Sequence, residues 1–190
     1  AADKYDSAMA AVLKLDNAAV ESLCEKYSGV YPVNYNAPGQ LVVAGLKEEL
    51  ELFKADVKSA GGRAIPLAGS GGFHTPFMQK ASEALSVELE KFTFNPPKIP
   101  LYSNYTAGPY ANNAKQLIVN QIKNPVKWQE SIENMIETGI DTFIEVGAGK
   151  TLSGLISKIN QNVSVYNAED KESFENTIGA LGAGKAANEQ

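Results

Sequence analysis

Val30-Tyr31-Pro32-Val33-Asn34-Tyr35-Asn36-Ala37-Pro38-Gly39-Gln40-Leu41-Val42-Val43-Ala44 decides the fold. Two β-rich runs, Val30–Tyr35 and Gln40–Ala44, flank Asn36-Ala37-Pro38-Gly39. Proline presets φ and glycine accepts a positive φ, so this tetrapeptide is a strong turn signal and the whole stretch predicts a β-hairpin. Upstream, Ala8–Leu15 (AMAAVLKL) reads as a strand, and Asp16 or Asn17 caps a helix running to about Tyr27. Val20, Leu23, Cys24 and Tyr27 fall on one face of that helix, and Gly29 stops it. Downstream, a helix over about Lys47–Ala60 puts Leu50, Phe53, Ala55 and Val57 near one face, Gly61-Gly62 ends it, and Arg63–Leu67 is a fourth strand. The order β-α-β-β-α-β predicts a ferredoxin-like lobe over residues 7–67. Such a fold names no activity by itself.

Beyond residue 68 the pattern changes. Helices are predicted over about Pro76–Phe92, Ala114–Ile122, Trp128–Thr138, Thr151–Ile159 and Glu172–Leu181, and strands over Ile99–Tyr105, Asp141–Val146 and Val163–Tyr166. Composition predicts that Asp141–Val146 is buried on both faces. Alternating strands and helices imply a parallel-sheet α/β lobe over 68–181, and the small polar residues 182–190 read as a disordered tail. The fold class is therefore α/β with an α+β insert.

Bulk properties narrow the functions. With 44% hydrophobic residues, 190 residues can bury a sizeable core. A net charge of −5 with no basic patch argues against nucleic acid as a partner. No apolar run reaches membrane-spanning length and no signal-peptide pattern opens the chain, so a soluble, cytoplasmic protein is expected. The lone Cys24 forms no internal disulfide and reads as core. One histidine and one cysteine leave no zinc-ligand spacing, and no metal site is expected.

That single histidine, His74, leaves a glycine-rich turn, Gly69-Ser70-Gly71-Gly72, just before a helix start. Thr75 suits the N-cap and Pro76 the first helical position. Imidazole exchanges a proton near neutral pH, so His74 is a candidate base, although an ordinary surface histidine fits the same position. No serine sits in the Gly-x-Ser-x-Gly elbow of a hydrolase: two places away Ser70 has Ala68 and Gly72, Ser153 has Thr151 and Leu155, and Ser70 reads as a turn residue. Gly147-Ala148-Gly149-Lys150-Thr151 fails the Walker pattern at Ile144 and the dinucleotide pattern at Leu152, leaving a tight turn whose helix amides can hold an anion weakly. Glu145 is either a histidine-orienting carboxylate or the cap of that turn. Asn34, Asn36 and Gln40 cluster on the hairpin and Arg63 follows a helix stop. Turn chemistry accounts for most of this, yet the same side chains can line a cleft.

Four stretches in order, PVNYNAPGQLVVAG (32–45), RAIPLAGSGGFHTPFM (63–78), QIKNPVKW (121–128) and FIEVGAGKTLSGLI (143–156), resemble the malonyl-CoA:acyl carrier protein transacylases and the related acyltransferase domains of fatty-acid and polyketide synthases. The resemblance implies a hydrolase-like lobe with a ferredoxin-like insert. It implies transfer of malonyl from coenzyme A to the pantetheine thiol of acyl carrier protein through an acyl-serine, with no cofactor beyond the coenzyme A thioester. It also implies a monomer at full length. His74 matches the catalytic histidine of a serine–histidine dyad, and Gln121 the residue whose backbone carbonyl fixes the ring. Asn34, Asn36, Gln40 and Arg63 match positions on the coenzyme A side of the cleft, and Phe73 matches an aromatic associated with malonyl over methylmalonyl. Ala148 departs from a common proline. The family's serine elbow, oxyanion glutamine and malonyl-binding arginine precede the first matching residue, so the chain is expected to be a C-terminal portion, inactive alone, with an exposed sheet edge and apolar face. Two alternatives stand beside this: a docking module without chemistry, and a polyketide-synthase acyltransferase for another acyl group.

Overall fold

Pro38 and Gly39 form a two-residue turn between β2 (Val30–Ala37) and β3 (Gln40–Leu46), with Ala37 opposite Gln40 and Gly39 at φ 70°. The turn is tighter than the predicted tetrapeptide because β2 continues two residues further, through Ala37. The structure is a computed structural model that describes residues 5–69 and 71–187. Strands β1 (Ser7–Leu13) and β4 (Arg63–Pro66) complete an antiparallel sheet in the order β2-β3-β1-β4. Helices α1 (Asn17–Cys24) and α2 (Lys47–Ser59) are the two crossovers, which is the predicted split βαβ arrangement. Pro32 has no N–H for a ladder, and its place fits an edge strand with register shifts between Pro32 and Asn34 and between Tyr35 and Ala37.

Periodicity chooses the faces. Ala10, Val12, Leu41 and Val43 point at the helices and pack with Val20 and Cys24 of α1 and Leu50, Phe53 and Val57 of α2. Fully burying a side chain such as Phe53 or Leu41 stabilises by about 2–3 kcal/mol, so this face carries most of the lobe's stability. Ala55, expected on the apolar stripe of α2, is exposed. The Asp16 carboxylate accepts from the Ala19 N–H at 2.7 Å as the predicted cap of α1, and α1 ends at Cys24 rather than Tyr27. Burial pushes the Cys24 thiol up to about 12, with Glu21 adding to it, so the side chain is core. On the opposite face Val33, Val42 and Ala44 are buried with Met9, Ala11 and Tyr31 against them.

After β4 the chain stays beside β1 through Leu67 N–H to the Met9 carbonyl and Gly71 N–H to the Ser7 carbonyl. The helix predicted over Pro76–Phe92 is a 3-10 turn, Pro76–Met78, followed by α3 (Gln79–Leu89). The strand predicted over Ile99–Tyr105 does not form. Among the described residues it makes one isolated bridge, Tyr102 to Pro109, and the chain doubles back through Ser103 N–H to the Gly108 carbonyl. Pro100 offers no donor and Ile99 is 79% exposed, so the run has β composition without a partner strand. Helices α4 (Ala114–Gln121) and α5 (Trp128–Glu137) lie close to their predicted bounds.

The chain groups into two compact units, Ala1–Asn134 and Met135–Gln190. In the second unit β5 (Thr142–Val146) and β6 (Ser164–Ala168) pair in parallel across α6 (Thr151–Ile159). β5 is not buried on both faces: Val146 is 80% exposed, because only β6 among the described residues lies beside it. Helix α7 runs Lys171–Ala187, past the predicted end at Leu181 and into the expected tail; residues 188–190 lie outside the described residues. Among the described residues no helix is long and apolar enough to cross a membrane, and no group of His, Cys, Asp and Glu could hold a metal ion.

Candidate active site

His74 has φ 60°, in the left-handed region that costs a non-glycine residue about 1 kcal/mol or more. The surrounding turn over-determines it. Thr75, fully buried, donates its hydroxyl to the Gly72 carbonyl at 2.6 Å and accepts the Phe77 N–H at 3.2 Å, the predicted cap, with Pro76 at the first position. Gly72 is required by packing, since a Cβ there would lie 2.6 Å from the Phe77 ring. Phe77 stacks on Tyr5 at 4.5 Å and meets Tyr31 of β2 edge-on at 5.6 Å. The Tyr31 hydroxyl in turn donates to the Ser28 carbonyl. These contacts fasten the turn to the helix-free face of the sheet, on the row Tyr31–Ala44–Met9.

The half-buried imidazole lies with Nδ1 2.8 Å from the Gln121 carbonyl oxygen. A carbonyl only accepts, so the bond assigns the proton to Nδ1 and leaves the Nε2 lone pair open. Gln121 is free to accept because it ends α4, where the last carbonyls have no intrahelical donor. Three successive carbonyls there are taken from outside the helix: Val119 by the Ser82 hydroxyl, Asn120 by Asn124 Nδ2, each at 2.8 Å, and Gln121 by His74. The Gln121 side chain is anchored as well, its Oε1 accepting the Asn104 N–H at 2.9 Å. Chemically this is an imidazole oriented by a backbone acceptor, an arrangement in which Nε2 can take up a proton. Among the described residues no hydroxyl hydrogen-bonds Nε2, and Ser70 lies outside them.

Among the other candidates, Asn34, Gln40 and Arg63 share a sheet face without forming one cluster. Phe73, beside His74, is 42% exposed. Asn34 pairs with Val42, which places it on the helix-free face one row beyond Tyr31, about 7 Å along the strands. Its Oδ1 is buried without a partner among the described residues. Gln40 and Arg63 flank Leu13 on a further row, about 13 Å from Tyr31. Arg63 is exposed, and Asn36 is half-buried in the register shift before Ala37. A cavity of about 410 Å³ lined by Asn17, Glu21, Tyr35, Lys127 and Glu133 holds none of them.

Glu145 resolves as a cap. Its carboxylate accepts from the Leu152 and Ser153 N–H groups at 3.1 and 2.7 Å. Burial pushes its pKa up, but those hydrogen bonds outweigh it and hold the group below the usual carboxylate range. The Gly149 N–H is taken by Glu169, which also lies 3.7 Å from Lys150. Three of the amides at this turn, those of Gly149, Leu152 and Ser153, are therefore satisfied by the unit's own carboxylates.

Ser82, Asn104 and Phe77 support the site without any signal in the sequence. Their contacts span 37, 17 and 46 residues, and no local pattern reports them.

Residues 3–174 match the acyl transferase domain family. The malonyl CoA-acyl carrier protein transacylase of Escherichia coli (strain K12) is 42% identical over 158 residues, which is 80% of this chain and 51% of that protein. The crystal structure of the Clostridium perfringens transacylase of the same name superposes with a TM-score of 0.94 at 41% identity, covering 97% of this chain and 60% of that one. A malonyl-transacylase in complex with a type II polyketide acyl-carrier protein aligns at 35% identity and a TM-score of 0.85, over 88% of this chain and 56% of that one. The chain spans about half the length of the curated relatives it matches.

Proposed function

The chain belongs to the acyl transferase domain family, and we propose that it supplies the base for moving malonyl from coenzyme A to the pantetheine thiol of acyl carrier protein. The observation that carries this is the His74–Gln121 bond, which leaves Nε2 as the acceptor. The transfer needs two proton exchanges at one atom. Nε2 takes the hydroxyl proton as a serine attacks the thioester carbonyl, and returns it to the departing coenzyme A thiolate as the C–S bond breaks. It then takes the proton of the incoming pantetheine thiol, whose sulfur attacks the acyl-serine, and gives it to the serine oxygen as the C–O bond breaks. No serine of the 190 residues sits in a Gly-x-Ser-x-Gly elbow, so the attacking serine is not one of them and the chain alone is inactive. Phe73 bounds the acyl pocket against a branch methyl, and Arg63 with Asn34, Asn36 and Gln40 serves the coenzyme A side. No cofactor beyond the thioester is used, and an acyl-CoA substrate fits a cytoplasmic protein that is a monomer at full length.

A protein of the relatives' full length, mixed with malonyl-CoA, should gain one malonyl by intact mass and pass it to holo acyl carrier protein. The 190-residue chain should gain none. An adduct on the short chain, or none on the long one, overturns the reading. The polyketide carrier in the structural relative supports a second reading, a polyketide-synthase acyltransferase. Faster transfer to a polyketide carrier, or from a branched acyl-CoA, would select it.

A further inference from the structure

We propose that Ser82 is a positioning residue that holds the His74 ring in the tautomer a base requires, an inference that rests on the reading of His74 as that base. The segment bearing His74 runs directly into α3, and the carbonyl it uses ends α4. Three bonds lace the two: His74 Nδ1 to the Gln121 carbonyl, Lys123 Nζ to Gln79 Oε1, and the Ser82 hydroxyl to the Val119 carbonyl, each at 2.8 Å. The Lys123–Gln79 bond is exposed, so water replaces it at little cost. Ser82 is 1% exposed and Val119 9%, so no water takes over if the hydroxyl is lost.

Val119 and Gln121 are two residues apart on one helical end. Fixing the first carbonyl fixes the direction of the second. A single His74–Gln121 bond is a pivot about which the ring and the helix end can swing. The Ser82 bond supplies the second point, and two points define the spacing at which Nδ1–H meets its acceptor. Ser82 touches no substrate in this scheme and acts only through Gln121.

His74 is the only histidine, so the untagged chain gives one set of imidazole nitrogen resonances. Ser82→Val and Ser82→Thr have the same volume and differ by the hydroxyl. At a pH where the ring is neutral, wild type and Ser82→Thr should show the Nδ1–H tautomer alone. Ser82→Val should show averaged tautomers and faster exchange of the Nδ1 proton with water, on the order of fivefold. A Ser82→Val spectrum like wild type overturns the proposal, and so does loss of the tautomer in Ser82→Thr, which would make volume the cause. Should Ser82→Val fail to fold by its amide dispersion, Ser82→Ala against wild type, a pair that differs only by the hydroxyl, takes its place. A wild-type ring without the Nδ1–H tautomer would instead remove His74 as the oriented base, a separate failure.

Discussion

Two glycine-rich turns lead into helical segments in this chain, Gly71–Pro76 and Gly147–Thr151, and they end in opposite states. At the second, both oxygens of Glu145 and one of Glu169 are spent on backbone amides, so these carboxylates serve the turn itself. At the first, a strained residue is held with one ring nitrogen spent on the Gln121 carbonyl and the other open. Composition makes both turns look like sites. What separates them is the hydrogen-bonding capacity that remains after the fold has taken its share.

The sharpest way to break this contrast is to remove the open nitrogen. In a protein of the relatives' full length, His74→Ala should lower turnover by on the order of 10²–10⁴, and Glu145→Ala should leave the turnover of folded protein near wild type. Equal losses in both variants would erase the distinction. The next effect is steric. Gly72→Ala places a Cβ against the Phe77 ring and should destabilise by about 1–3 kcal/mol in denaturant unfolding. Gly147→Ala has open space around it, so its cost comes from φ 131° alone, backbone that side chains rarely adopt, about 1–3 kcal/mol. Thr75→Val keeps the shape of a fully buried side chain but drops both of its hydrogen bonds, and should cost about 1–2 kcal/mol.

The smallest effect is Glu145→Ala, about 1 kcal/mol at neutral pH through loss of the α6 cap. Because the folded pKa is held below the ordinary value, this contribution is complete above the unfolded carboxylate's pKa. It disappears as pH falls through the folded value. Unfolding curves of wild type and variant should therefore converge in acid, and a gap that widens there would contradict the capping role.

Local signals were legible where one segment sufficed. Pro38-Gly39 declares the hairpin, Asp16 and Thr75 declare their caps, and the 3.6-residue spacing of Leu50, Phe53 and Val57 declares the buried face of α2. Strands that depend on a partner were not legible. Ile99–Tyr105 and Asp141–Val146 have strand composition, but pairing and two-sided burial are properties of neighbours that composition does not carry. The site divides the same way. A lone histidine after Gly-Gly is conspicuous in the sequence, and its tie to a carbonyl 47 residues on was suggested only by the resemblance. The left-handed backbone at His74 and the Ser82–Val119 bond have no sequence signature at all.

The edge strand β2 has a consequence for association between molecules. An open β edge invites strand addition by another chain, and addition needs a row of free donors and acceptors. Along β2 the Val33 carbonyl and the Tyr35 N–H are already taken by Val126, and Pro32 has no N–H to give. Register shifts on either side of Asn34 further spoil the spacing. The middle of this margin, Pro32–Tyr35, is therefore closed to templated aggregation by the chain's own residues.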